Sequence, residues 1–188
     1  MASILLVGGA RSGKSDAAEK LAGRAGRLHG LGVSAVVTAE ALDAEMAERI
    51  FQHRERRPAT WKVIEAPIHL ADGVASAGHK DVLIVDCVTV WLSNKMVKGE
   101  SVESIEKSAR AVAIGLSART GPTIVVSNEV GLGIVPDNQM GRQFRDLQGR
   151  VNRMLAKELD QAYFVVAGSL LALNEDGWKS AAAFLDTP

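Results

Sequence analysis

The chain has little of several things, and each shortage closes off a class of explanation. Its 188 residues include one cysteine, Cys87, which excludes an internal disulfide and a cysteine-built zinc cage. Lysine plus arginine matches aspartate plus glutamate, 22 against 22, so no overall field draws the protein to nucleic acid or an acidic membrane. No apolar run reaches the ~20 residues that span a bilayer. The first residues show no signal-peptide pattern, because Met1–Val7 leads straight into a glycine-rich motif and reads as a first strand. Internal repeats and low-complexity linkers are also missing. The expectation is a cytoplasmic protein with no membrane span.

What is present is ordinary globular material. A hydrophobic content of 47% with 23% charged residues suits one sizeable core. Short runs rich in valine and isoleucine mark strands at Ile4–Val7, Val33–Val37, Lys62–Glu65, Val82–Val85, Thr123–Val126 and Tyr163–Ala167. Most are apolar without alternation, the mark of strands covered on both faces of a parallel sheet. Helical spacing separates them. Ile105, Ala109, Val112 and Leu116 form one stripe behind a capping Ser101, and Phe144, Leu147, Val151, Met154 and Leu155 form another. A third helix is expected from Asp43 to about Glu55, with Met46 and Ile50 facing inward. Asn94–Glu100 reads as a flexible loop, and 174–188 as a polar tail with Trp178 and Phe184 as its anchoring candidates. The alternation of strand and helix implies an α/β domain over residues 1–173 with right-handed crossovers.

Gly8-Gly9-Ala10-Arg11-Ser12-Gly13-Lys14-Ser15 satisfies the P-loop pattern G-x-x-x-x-G-K-[ST]. A strand precedes it, and a helix with Ala17, Ala18 and Leu21 on its inner face follows. Such a loop turns backbone N–H groups toward phosphate oxygens at a helix N-terminus. Lys14 is suited to the β- and γ-phosphates and Ser15 to Mg²⁺. The fold class expected is therefore a P-loop NTPase-like (RecA-like) domain, its mostly parallel central sheet flanked by helices. Val82–Val85 runs into Asp86, a carboxylate at the end of a strand where it can hold Mg²⁺ directly or through water. Cys87 reads as a small buried residue. Glu129, past the Thr123–Val126 strand, can meet a metal, a base or a substrate hydroxyl, or simply cap a turn.

The segment from Arg49 to Pro58 crowds Arg49, Arg54, Arg56 and Arg57 around His53. One reading is a solvated helix end whose cations complement the dipole. The other is a triphosphate clamp, with His53 as nucleophile at an α-phosphorus. His29, His69 and His79 have no such company and read as loop or helix-start residues. The helix from about Gln139 to Lys157 is rich in arginine, but Asp146 and Glu158 dilute it, which argues against nucleic-acid binding.

Taken together, G-G-A-R-S-G-K-S, A-L-D-A-E-M-A-E-R-I-x-x-H-R, W-K-V-I-E-A-P, V-D-C-V-T-V-W-L-S-N, S-N-E-V-G-L-G-I-V-P and F-R-D-L-Q-G-R-V-N resemble one family over roughly residues 4 to 170. It is the bifunctional adenosylcobinamide kinase/adenosylcobinamide-phosphate guanylyltransferase family of late cobalamin assembly. The resemblance implies phosphorylation of adenosylcobinamide by ATP or GTP, then transfer of GMP from GTP to the resulting phosphate through a guanylyl-histidine. It implies that His53 carries GMP and that Gly8–Ser15 binds nucleotide phosphates. Thr38, the Arg54-Glu55-Arg56-Arg57 run, Glu65 and Asp86 would complete the nucleotide site. On the residues alone, Thr38 reads as a helix cap and Glu65 as an exposed strand end. The resemblance also implies a corrinoid partner and a homotrimer. The chain departs from the pattern at Gln52, where some members carry a second histidine. A single-function P-loop kinase and a nucleotide-gated switch are the rival readings.

Overall fold

The computed structural model describes residues 2–41 and 43–173. In chain order the elements are β1 (Ser3–Gly8), α1 (Lys14–His29), β2 (Val33–Val37), α2 (Ala44–Arg56), β3 (Lys62–Glu65), α3 (Leu70–Ser76), β4 (Val82–Asp86), α4 (Val88–Val97), α5 (Val102–Ser117), β5 (Thr123–Asn128), α6 (Gln139–Glu158), β6 (Gln161–Val166) and β7 (Ser169–Ala172). The strands form one sheet in the order β3-β2-β4-β5-β1-β6-β7. Every pairing is parallel except that of β6 with β7. The α/β expectation with a mostly parallel sheet holds.

The apolar strands are buried on both faces because the sheet carries helices on both. Leu5, Val7, Leu83, Val85 and Val125 point into a core completed by α3, α4, α5 and α6. Their neighbours Leu6, Ile84, Ile124 and Val126 point the other way, against Ala18 and Ala22 of α1. Each fully buried large side chain of this kind contributes about 1.5–3 kcal/mol. The two expected amphipathic stripes lie where their spacing put them. Ile105, Ala109, Val112 and Leu116 are buried on α5, and Leu147, Val151 and Leu155 on α6. Ser101 caps α5 by accepting from Ser104 N–H, and Asp43 caps α2 by accepting from Met46 N–H.

Four expectations need correction. The inner face of α1 is Lys14, Ala18, Ala22 and Gly26, at a spacing of four, while Leu21 is exposed. Small side chains on that face let the helix lie close to the sheet. Residues 94–97 belong to α4 and are not a loop. Asn94 and Lys95 are buried, and Asn94 Nδ2 donates to the carbonyls of Thr38 at 2.8 Å and Pro67 at 3.1 Å. The helix then stops in a Schellman turn, with Glu100 N–H on Lys95 O, Gly99 N–H on Met96 O, and Gly99 at φ 81°. β6 begins earlier than expected and ends before Ala167, which turns with Gly168 into the unforeseen β7. His29 lies in the last turn of α1 and not in a loop.

No helix among the described residues is long and apolar enough to cross a membrane. The tail with Trp178 and Phe184 lies outside the described residues.

Candidate active site

β1 delivers the P-loop at the carboxyl end of the sheet, where ligands of open α/β sheets bind. Gly8 is obligatory there, because a Cβ would sit 2.2 Å from the Val165 carbonyl of β6. Gly13, at φ 96°, turns the chain into α1 and offers no side-chain cap. The first amides of α1 are thereby left to an incoming anion. Lys14 Nζ folds back onto the loop, donating to Gly8 O at 2.9 Å and Gly9 O at 2.6 Å. Burial pushes its ammonium below the ordinary lysine range, with partial opposition from Cys87 and Asp86. The turn between β6 and β7 braces the loop from outside, Gly168 N–H donating to Ser12 O at 3.0 Å.

Asp86 closes the site opposite. Its Oδ1 accepts from Ser15 Oγ at 3.2 Å, and its Oδ2 accepts from Arg57 Nη2 at 3.1 Å. Arg57 also donates to Glu19 at 3.1 Å, and its side chain is 6% exposed. It thus bridges α1, α2 and β4, so its charge is already met by two carboxylates. The adjoining Ser15 hydroxyl and Asp86 carboxylate suit Mg²⁺, which takes one or two protein oxygens and completes its shell with water and phosphate. Among the described residues no three histidine, cysteine or acidic side chains gather as an all-protein metal cage.

Thr38 is not a helix cap. Its hydroxyl donates to Cys87 O at 2.7 Å and accepts from Cys87 N–H at 3.0 Å, tying the end of β2 to the end of β4. It borders the cavity, but its hydrogen bonds are spent on the backbone.

His53 is half-buried in the last turn of α2. Arg56 Nη2 lies 3.0 Å from its Nδ1, and Arg56 Nη1 donates to Asp16 at 2.8 Å. Arginine can only donate, so in this arrangement Nδ1 accepts and the proton of the neutral ring sits on Nε2. Glu19 Oε1 stands 3.9 Å from the same Nδ1. Burial works to raise the Glu19 carboxyl, but His53, Arg57 and Arg56 together outweigh it and hold the group below its usual range. Gln52 turns away and donates to Glu48 at 2.8 Å on the exposed face of α2. The departure from a histidine pair therefore leaves the His53 side of the helix untouched.

Several of these groups share one cavity of about 1,020 Å³, ample for a nucleotide, while Glu19 and Arg56 line a neighbouring one with Asp16. Arg11, Ser15, His53, Arg54, Glu65 and Asp86 line it, and Met46, Ile50, Trp61, Val63 and Val90 supply apolar wall. Ala10, Thr38, Glu55 and Arg57 also border it, whereas Gly8, Gly9, Ser12, Gly13, Lys14 and Arg56 of the expected site residues do not. Glu129 takes the capping role, its carboxylate accepting from Gly131 N–H while its own N–H holds Gly8 O at 2.9 Å. Two neighbours of these groups were missed. Glu19 lies one helical turn after Ser15 on the same face, and that spacing was the available signal. Asn128 ends β5 and lines the cavity beside Asp86.

The family model described as cobinamide kinase / cobinamide phosphate guanyltransferase matches residues 4–173. The bifunctional adenosylcobalamin biosynthesis protein CobP of Pseudomonas aeruginosa is 40% identical over 171 residues, covering 90% of this chain and 96% of the relative. The bifunctional adenosylcobalamin biosynthesis proteins CobU of Salmonella typhimurium and Escherichia coli are each 36% identical over 178 residues, covering 88% of this chain and 96% of each relative. With a P-loop, a strand-end aspartate and a cation-flanked histidine around one cavity, and a family match over nearly the whole chain, this protein belongs to the cobinamide kinase / cobinamide phosphate guanyltransferase family.

Proposed function

We propose that the chain phosphorylates the hydroxyl of adenosylcobinamide with ATP or GTP and then moves GMP from GTP to the product phosphate, giving adenosylcobinamide-GDP. The observation that carries this reading is that His53 and the P-loop residues Arg11 and Ser15 line the same cavity. One phosphate cradle can then serve both reactions, since each leaves a polyphosphate in the loop.

In the kinase step the protein positions groups and neutralises charge. Lys14 exchanges its loop carbonyls for phosphate oxygens, and the open amides of α1 take the rest. Mg²⁺ bound at Ser15 and Asp86 would offset charge on the β- and γ-phosphates. In the guanylyl step Arg54 and Arg56 receive the triphosphate. Arg56 thereby leaves Nδ1 of His53, and the ring proton passes through water from Nε2 to Nδ1, where it is donated to Glu19. Nε2 is left with a lone pair. It bonds to the α-phosphorus as the bond to the bridging oxygen breaks, and pyrophosphate departs with the electron pair. Glu19 stabilises the imidazolium character of the phosphoramidate, as the carboxylate partner of a catalytic histidine does. A phosphate oxygen of the corrinoid then attacks the same phosphorus and releases His53. Three finer features belong to the same reading: residence in the cytoplasm, a corrinoid bound at the mouth of the cavity, and a homotrimeric assembly, which sedimentation would test.

The deciding experiment incubates the protein with Mg²⁺ and α-phosphate-labelled GTP, denatures it, and compares His53→Ala. Label that survives denaturation, leaves in acid, resists alkali and is lost in the variant is the expected result. Protein that phosphorylates adenosylcobinamide yet retains no label would be a single-function kinase.

A further inference from the structure

β5 lies between the P-loop strand β1 and the Asp86 strand β4. Asn128 pairs with Gly8 across one edge, and Val126 pairs with Asp86 across the other. Side chains two apart on a strand share a face. Asn128 therefore projects with Val126 toward the side of the sheet that carries α1, one step beyond Asp86.

Both backbone groups of Asn128 are held. Its N–H donates to Thr89 Oγ1 at 2.6 Å, and its carbonyl accepts from Asn152 Nδ2 at 2.9 Å. Behind it stands a buried polar cluster. Ser127 Oγ donates to Asn152 Oδ1 at 2.6 Å, and Gln148 Nε2 donates to both Ser127 Oγ and Asn152 Oδ1 at 2.9 Å. Gln148 is fully buried, yet its Oε1 has no hydrogen-bond partner. An unmet acceptor makes such a cluster costly as pure scaffolding, and rule-breaking of this kind gathers at functional sites. The cluster also joins two of the distinctive sequence stretches, Ser127–Pro136 and Phe144–Asn152, whose roles the mechanism above does not use.

The Asn128 carboxamide itself makes no hydrogen bond among the described residues, whereas Ser127 and Glu129 on either side are both engaged. It lines the cavity with Ser15 and Asp86. Phosphate oxygens only accept; Asp86 beside Asn128 cannot donate to them, and the guanidinium of Arg57 on this flank is already engaged by Asp86 and Glu19. The Asn128 carboxamide, without a partner among the described residues, is a neutral N–H donor available to them.

We infer that Asn128 is a catalytic residue of the phosphoryl-transfer step, its Nδ2 donating to a non-bridging γ-phosphate oxygen, and that Thr89, Gln148 and Asn152 are its positioning residues. The inference rests on the kinase reading above. In the step, the corrinoid hydroxyl oxygen bonds to the γ-phosphorus while the bond to the β-bridging oxygen breaks. ADP leaves with the electron pair, and the hydroxyl proton passes to water. Asn128 exchanges no atoms. It meets charge that develops on the equatorial oxygens, where removing one fixed donor typically lowers turnover by about 100-fold.

The test measures phosphoryl transfer from ATP to adenosylcobinamide by Asn128→Ala, Asn128→Thr and Asn152→Leu, beside wild type, with melting temperature and ATP affinity determined for each. Asn128→Ala should lose about 100-fold in kcat while KM for ATP and the melting temperature stay close to wild type. Asn128→Thr, which restores a donor, should recover part of the loss, and Asn152→Leu should lower kcat without an equal rise in KM. Asn128→Ala within threefold of wild type overturns the inference alone. So does a loss of kcat matched by lost ATP affinity or a lower melting temperature, because Asn128 is then structural. Wild-type protein that transfers no phosphoryl group overturns the kinase reading and this inference together.

Discussion

Cys87 stands between Asp86 and α4, half-buried in the cavity wall, and burial together with the Asp86 charge pushes its thiol up to about 11. Only the thiolate is nucleophilic, so the group is inert near neutrality. We expect iodoacetamide at pH 7.5 to alkylate the folded protein at least about 100-fold more slowly than the same protein in guanidinium, where the thiol has its ordinary value. Equal rates would mean that the junction of β4 and α4 opens readily. A thiol kept protonated in this way suits a packing role for Cys87 beside Asp86. Arg57 teaches a similar lesson. Its position after His53 suggested a phosphate clamp, but a chain of residues cannot display which carboxylates will surround it. Glu19 and Asp86 come from elements far from it in sequence, and together they absorb its charge.

At the scale of elements, the hairpin of β6 and β7 supports the phosphate loop. Its turn uses Ala167 at φ 49° and Gly168 at φ 76°, and Gly168 N–H holds Ser12 O. Nothing crowds a Cβ at Gly168, so a substitution there is resisted by backbone conformation, not by space. A β-branched residue in that region costs about 1–2 kcal/mol. Gly168→Val should therefore lower the melting temperature and weaken binding of a non-hydrolysable ATP analogue severalfold. Calorimetry and thermal melts check both, and an unchanged affinity would show that the loop holds its shape without the hairpin. Sequence reading missed this element because Ala-Gly is not the usual pair of a two-residue turn. It missed α4 for another reason. Val88-Thr89-Val90-Trp91 has the composition of a strand, yet it packs as a helix with Val88, Trp91 and Leu92 buried. Tertiary burial overrode local preference there.

For the whole molecule, stability should depend on pH through a few identified groups. Asp160 is held below its ordinary range by the Ser3 N–H and hydroxyl, which join β1 to the start of β6. Glu19 is held low by His53 and its arginines against the opposing effect of burial. A carboxyl whose folded value is depressed stabilises the fold above its unfolded value, and that contribution fades as pH falls through the folded one. Lys14 acts in the opposite sense. Its folded value is lowered, so its protonated form burdens the fold, and the burden lifts as pH rises past that value. The melting temperature should drop as pH falls below about 4, the ordinary carboxylate range, and Asp160→Asn and Glu19→Gln should each flatten that fall. A parallel acid limb in both variants would assign the loss to other carboxylates.

The sequence by itself determined the fold class and the phosphate-loop motif, and it singled out Asp86 and the His53 segment as candidates for the site. These follow from local patterns: apolar runs of strand length, a glycine spacing that lets a backbone curl, and cations gathered within a few helical turns. Only the tertiary structure decided which cations are available, where the histidine ring nitrogens turn, and which polar residues enter the cavity. Glu19, Arg57, Thr38 and Asn128 each take their role from partners 24 or more residues away, brought close by a sheet whose order is not the order of the chain. Hydrogen bonding and burial act through space, and no spacing along the chain encodes which distant groups will meet.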